Sequence, residues 1–173
     1  MESTASRQPY AIRDLSILEL TPEAFAPFGA VIAPTGDARP YGEGDARLDL
    51  SGGVPRFYAM RIASRGLLVE EITRHVRTTQ VLASAGGHAW FIAVAQPGQL
   101  EAGNAAPEIG SIRAFRIPGD TAIMLYKGTW HAGPRFEGNP QSFFNLELAD
   151  TNIADHDTCN LTARYGSALR LRA

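Results

Sequence analysis

A chain of 173 residues, 45% hydrophobic and 20% charged, is long enough to fold as one domain that buries about two-thirds of its unfolded surface without a staple. Sixteen basic and 18 acidic residues (net charge −2) leave no basic stripe for nucleic acid, no apolar run reaches membrane-span length, and the lone Cys159 excludes an internal disulfide and a CxxC zinc site. The polar opening MESTASRQPYAIRD lacks the apolar core of a signal peptide, so the chain reads as a soluble, cytoplasmic single domain spanning 1–173.

Residues 1–14 read as a loose arm and LSILEL, 15–20, as a strand. Thr21 is an N-cap with Pro22 at the first helical position, and Pro27 and Gly29 stop that helix after little more than a turn. AVIAP resumes an extended path. Residues 33–53 carry Pro34, Gly36, Pro40, Gly42, Gly44, Gly52 and Gly53, which predicts a long loop with at most one short strand. From residue 55 onward short strand patterns follow one another: RFYAMRIA, LLVEEITRH, TQVLASA, HAWFIAVAQ, SIRAFRI, TAIMLY and SFFNLELA. Gly- and Pro-rich separators such as Gly86-Gly87 and Pro118-Gly119-Asp120 divide them, and this rhythm predicts a mainly β, antiparallel sandwich or barrel with a few short helices. No GxGxxG or P-loop follows any strand, so nucleotide binding has no support.

Two stretches carry chemistry. EITRHVRTTQVLASAGG, 71–87, holds Arg74, His75 and Gln80; PGDTAIMLYKGTWHAGP, 118–134, holds Lys127, Gly128, Trp130 and His131. Strand alternation turns Arg74 away from His75, and Trp130 away from His131. Gly128 marks a sharp turn that aims His131 inward. His88 reads as surface or strand edge. His156, between Asp155 and Asp157, reads as a tail ion pair, with a second metal site as the other option.

The two stretches resemble the paired signatures of the cupin superfamily, a double-stranded β-helix (jelly-roll) barrel. In that likeness His75 is the second histidine of the first motif, Thr73 stands for the first, Gln80 for the carboxylate, and Gly87 closes it. Gly119 opens the second motif, Tyr126 stands for its proline, Gly128 is retained, and His131 is its histidine. The order of LTPEAFAPFGAVI, RFYAMRI, RHVRTTQVLASAGG, SIRAFRIPGD and KGTWH is similar to that of the ureidoglycolate lyases, over about residues 16–155. The likeness implies a homodimeric enzyme of purine and allantoin degradation that splits the small acidic metabolite ureidoglycolate into glyoxylate and urea, with a divalent metal, nickel in particular, as cofactor. It implies catalytic roles for His75, His131 and Lys127, and substrate binding by Gln80, Arg77 and Tyr58. His75, Gln80 and His131 are the implied metal ligands. The chemistry asks for a neutral base for the hydroxyl proton and a cation for the substrate carboxylate. A non-catalytic small-ligand-binding or regulatory cupin is the alternative, favoured by the missing first-motif histidine and carboxylate. A homodimer also follows from HAWFIAVA and QSFFNLELA, which carry apolar residues on both strand faces.

Overall fold

The computed structural model describes residues 10–101 and 105–173. In chain order come β1 (Ala11–Glu19), α1 (Pro22–Phe25), β2 (Gly29–Ile32), β3 (Pro55–Ile62), β4 (Leu68–Val69), β5 (Glu71–Arg74), β6 (Gln80–Ser84) and β7 (Trp90–Ala95). They are followed by β8 (Arg113–Ile117), β9 (Ala122–Leu125), β10 (Trp130–Arg135), β11 (Gln141–Leu148), α2 (Thr151–Ala154), β12 (Asp157–Asn160), α3 (Leu161–Tyr165) and β13 (Ser167–Arg172). The fold is therefore mainly β, as the strand rhythm predicts. Thr21 caps α1 by accepting from the Ala24 N–H at 3.1 Å. No strand forms between 33 and 53.

Two curled sheets make a half-barrel, one ordered β2-β9-β6-β11-β3 and the other β12-β5-β10-β7-β8-β1-β13-β4. Between them lies the first apolar core, with Phe25, Trp90, Phe115, Ile123 and Phe143 among its buried residues. Each such side chain contributes roughly 1.5–3 kcal/mol on leaving water. A second core forms on the opposite face of the longer sheet, where Ile72, Ala93, Ala114 and Trp130 meet Val69, Leu169 and Leu171. The sheet thus folds back over itself. Strand β1 makes this possible by pairing β13 through Ala11–Ser16 and β8 through Ile17–Glu19.

Four expectations change. Residues 1–9 lie outside the described part, but Ala11 to Asp14 belong to β1 and to no loose arm. Both pairings of β1 are parallel, so the sheets are not purely antiparallel. The run LLVEEITRH divides at Glu70, with β4 pairing β13 and β5 pairing β10 and β12. Strand β13 itself falls where no strand was expected.

The two signature glycines serve packing. Gly87 has φ +73°, and a Cβ on Gly119 would lie 1.9 Å from the Gly87 carbonyl oxygen. The β6–β7 and β8–β9 turns therefore touch backbone to backbone. Gly119→Ala is expected to cost about 2 kcal/mol or more, because rigid backbone has to yield. Denaturant unfolding of the variant beside the parent checks it, and an unchanged midpoint would refute the close approach.

Candidate active site

The turn from β5 to β6 carries His75 and is held from the far end of the chain. Asp155, 5% exposed, accepts the Val76 N–H at 2.7 Å and the Arg77 N–H at 2.8 Å with its carboxylate. Its backbone carbonyl lies 2.5 Å from His75 Nδ1. A carbonyl can only accept, so His75 carries its proton on Nδ1 and keeps a lone pair on Nε2. The His75 carbonyl accepts the Gly128 N–H at 2.6 Å, which ties this turn to the one between β9 and β10.

That second turn places His131. Gly128 has φ +80°, and a Cβ there would fall 2.2 Å from Leu100 Cδ2, so the residue needs both the left-handed backbone and the empty space. Thr129 anchors the turn by donating its hydroxyl to the Phe28 carbonyl at 2.7 Å. His131 then lies opposite Val94, a residue of the inter-sheet core, while Trp130 packs in the second core. Its Nδ1 donates to the Thr129 carbonyl at 3.1 Å, again leaving Nε2 as the acceptor. The His75 and His131 ring centroids are 5.1 Å apart.

Burial holds both imidazoles neutral. Desolvation is the main cause of lowering at His131, followed by the positive charge His75 would carry, and together they bring it to about 3. His75 is also lowered by burial, against the Asp155 carbonyl and, more weakly, the Asp155 and Glu147 charges that favour its proton. A positive charge on His75 opposes one on His131, and each neutral ring keeps its single proton on Nδ1.

Two further residues belong here that sequence reasoning did not place. His156 is exposed, with its ring 5.3 Å from that of His75, so it stands at the mouth of the pair, and among the described residues it forms no ion pair. Glu147, 1% exposed, accepts from Gln80 Nε2 at 3.0 Å, Tyr58 hydroxyl at 3.1 Å and Asn152 Nδ2 at 3.2 Å. It faces inward because β11 alternates Phe143, Asn145 and Glu147 toward the other sheet. A carboxylate at an inward position of that alternation was the available signal. Tyr58 and Gln80 thus join one buried network.

Lys127, Arg77 and Arg74 are engaged elsewhere. Lys127, the chain's single lysine, pairs with Asp49 Oδ2 at 2.5 Å. Asp49 exchanges backbone contacts with Thr79, so this pair pins the long loop to the start of β6. Arg77 holds Asp150 at 2.9 Å and the Gly52 carbonyl at 2.6 Å. Arg74 faces the second core, as expected, with its guanidinium 4.9 Å from the Trp130 ring centroid, and it donates to the Pro97, Gln99 and Leu100 carbonyls. His88 is exposed at the β6–β7 turn. Among the described residues, no group of three His, Cys, Asp or Glu side chains is placed to hold a metal.

The family model of the ureidoglycolate lyases matches residues 12–165. A ureidoglycolate lyase of Stutzerimonas stutzeri (strain A1501) is 30% identical over 132 residues, covering 69% of this chain and 74% of the relative. Ureidoglycolate lyases of Pseudomonas putida (strain W619) and Pseudomonas entomophila (strain L48) are each 29% identical over 139 residues, covering 69% of this chain and 75% of each relative.

Neutral burial of His131 sets a pH dependence. The unfolded side chain titrates near 6.5 and the folded one near 3, so between these values the unfolded state binds more protons. Stability is full above about pH 6.5 and falls as the pH drops through that window, by on the order of 1–2 kcal/mol at pH 5 from this group. Melting temperatures between pH 7 and pH 4 should fall for the parent and fall less steeply for His131→Asn. Parallel curves would show that His131 is not buried neutral.

Proposed function

The chain belongs to the ureidoglycolate lyase family, and we propose that it splits ureidoglycolate into glyoxylate and urea within a cupin barrel. The observation that carries this reading is the buried pair of neutral imidazoles, His75 and His131, each with Nδ1 committed to a backbone carbonyl and Nε2 left as a base. His131 Nε2 takes the substrate's hydroxyl proton as the carbonyl forms and the carbon–nitrogen bond breaks. The proton passes to the departing ureido nitrogen, directly or through His75, so the pair ends the cycle neutral. The carboxylate of a bound substrate favours a cationic ring, lifting His131 toward a useful basicity. Lys127 meets that carboxylate by exchanging Asp49 for the substrate, with Arg77 as the second cation at the loop.

In the sequence the regulatory alternative is favoured by two missing groups and by Ala132 in place of a second histidine. Glu147 supplies a buried carboxylate and His156 a third imidazole, both from beyond the local motif, which removes the first reason. For a divalent metal, nickel in the family likeness, the two Nε2 lone pairs are donors of the right chemistry. His75 and His131 would then hold it in place of acting as bases, and when bound it would acidify the substrate hydroxyl. The cytoplasm, a reducing compartment, suits the single buried thiol of Cys159. No helix among the described residues is long and apolar enough to cross a membrane.

A homodimer completes the reading, with its interface on β11 of the two strands that the sequence argument names and not on β7. Strand β7 is covered on both faces by the chain's own two cores. The outer face of the β2-β9-β6-β11-β3 sheet is not: Phe57 and Phe144 stack at 5.6 Å while 69% and 41% exposed, with Ile32 and Ala59 also exposed on that face. An apolar sheet face of this kind marks an association surface. Light scattering should give twice the 18.6 kDa chain mass, and Phe57→Lys should shift it toward that of one chain. A parent mass of one chain would end the proposal.

Glyoxylate release from ureidoglycolate, with and without added nickel, tests the activity. His131→Asn keeps a polar side chain without a titrating nitrogen, so turnover should drop by roughly 10²-fold or more while folding survives. Full turnover with an unchanged melting curve would show that His131 is neither base nor ligand.

A further inference from the structure

The inner wall of the shorter sheet has one unmet demand. Gln80 is 6% exposed, and both hydrogens of its amide are used: Nε2 donates to Asn145 Oδ1 at 3.2 Å and to Glu147 Oε2 at 3.0 Å. Turning the amide over would set its oxygen against two other acceptors, so the orientation is fixed by the network. Its Oε1 is then buried with no partner. The surroundings offer it nothing. Asn145 Nδ2 donates to the Tyr58 hydroxyl at 3.0 Å, and Tyr58 and Asn152 in turn donate to Glu147. The hydrogen bonds that these donors make run to Glu147 or to a neighbour that serves it, and none reaches Gln80 Oε1. Glu147 pairs with no cation among the described residues; Arg56, opposite it in the β3–β11 register, stacks on the Tyr58 ring at 3.7 Å instead.

A buried acceptor without a donor costs free energy, and a buried carboxylate held only by neutral donors costs more. Such a wall is complementary to a ligand that brings N–H groups and hostile to one that brings another carboxylate. We propose that Gln80 Oε1, with Glu147 behind it, is the recognition element for the ureido end of the substrate: Gln80 accepts an N–H of the terminal ureido NH₂, and Glu147 fixes Gln80 in the accepting orientation. This rests on the reading of the chain as a ureidoglycolate lyase and adds the direction of binding. The ureido group lies toward β6 and β11, and the carboxylate toward Lys127. It also takes Gln80 out of the metal shell, since the same lone pairs meet the substrate. Gln80 is a specificity residue, and Glu147 a positioning residue that acts through it.

Two near-isosteric probes test the assignment by binding alone, with no turnover required. N-carbamoylglycine ends in an NH₂ where N-acetylglycine ends in a methyl; both keep the carboxylate and lack the reacting hydroxyl. By calorimetry the parent protein should bind N-carbamoylglycine at least tenfold more tightly, since rejecting the analogue leaves Oε1 unpaired again. Gln80→Met, close in shape and without an acceptor, should erase the preference while its affinity for N-acetylglycine stays within about twofold of the parent. A parent protein that binds the two probes equally, or binds neither, overturns the proposal. A preference that persists in a folded Gln80→Met overturns it too. If that variant does not fold, the parent's discrimination decides. Glyoxylate release is scored separately: discrimination without release sinks the lyase reading and leaves this wall standing, and release without discrimination does the reverse.

Discussion

One carboxylate organises the site. Asp155 sits in the interior with two backbone N–H groups of the β5–β6 turn on its oxygens, while its own carbonyl receives His75 Nδ1. Removing it would leave those donors buried and unmet, a cost of about 1–3 kcal/mol for each. Its chemical effect is larger than that figure suggests. By accepting from Nδ1 the Asp155 carbonyl decides which nitrogen of His75 keeps its lone pair. Because the His75 carbonyl in turn receives the Gly128 N–H, the same clamp sets how deep the His131 turn sits. Loop, tautomer and ring separation thus follow from a single residue, through its carboxylate and its carbonyl, on the connection between α2 and β12.

The pocket so built is a collection of acceptors. Two imidazole Nε2 lone pairs, one orphan amide oxygen and one carboxylate are its buried polar groups, while Lys127 and Arg77 are paired with Asp49 and Asp150. In a low-dielectric interior this arrangement would be unstable if either ring charged freely, and burial prevents that by holding both rings neutral. A molecule that carries several N–H and O–H donors at one end and an anion at the other matches this polarity. A dicarboxylate does not.

What could be read from the amino-acid order follows from how local the signal is. His75, Gln80, Gly128 and His131 lie in two short stretches where strand alternation and turn glycines act over a few residues, so their facing was legible. His156 and Glu147 were not, because they reach His75 and Gln80 through contacts between residues far apart in the chain. Alternation along FFNLEL did put Glu147 on the same side as Phe143. Nothing local said that this side was the interior of the pocket. The parallel pairings of β1 escaped for a related reason: an alternating strand looks the same whichever way its neighbour runs. Only the partner at β13, itself a short run after a helical turn, settles the direction.

The long reach of these contacts has a consequence for how the protein comes into being. The bond from His75 to Asp155 closes 80 residues of chain, and that from Gln80 to Glu147 closes 67. Contacts of such separation form late, after the loop-closure entropy has been met by the sheets as a whole. A half-assembled chain therefore owns the sequence motif but not the pocket: its histidines are solvated and its orphan amide is satisfied by water. Catalytic competence arrives with the final closure of the fold, so no partly folded intermediate can handle the substrate.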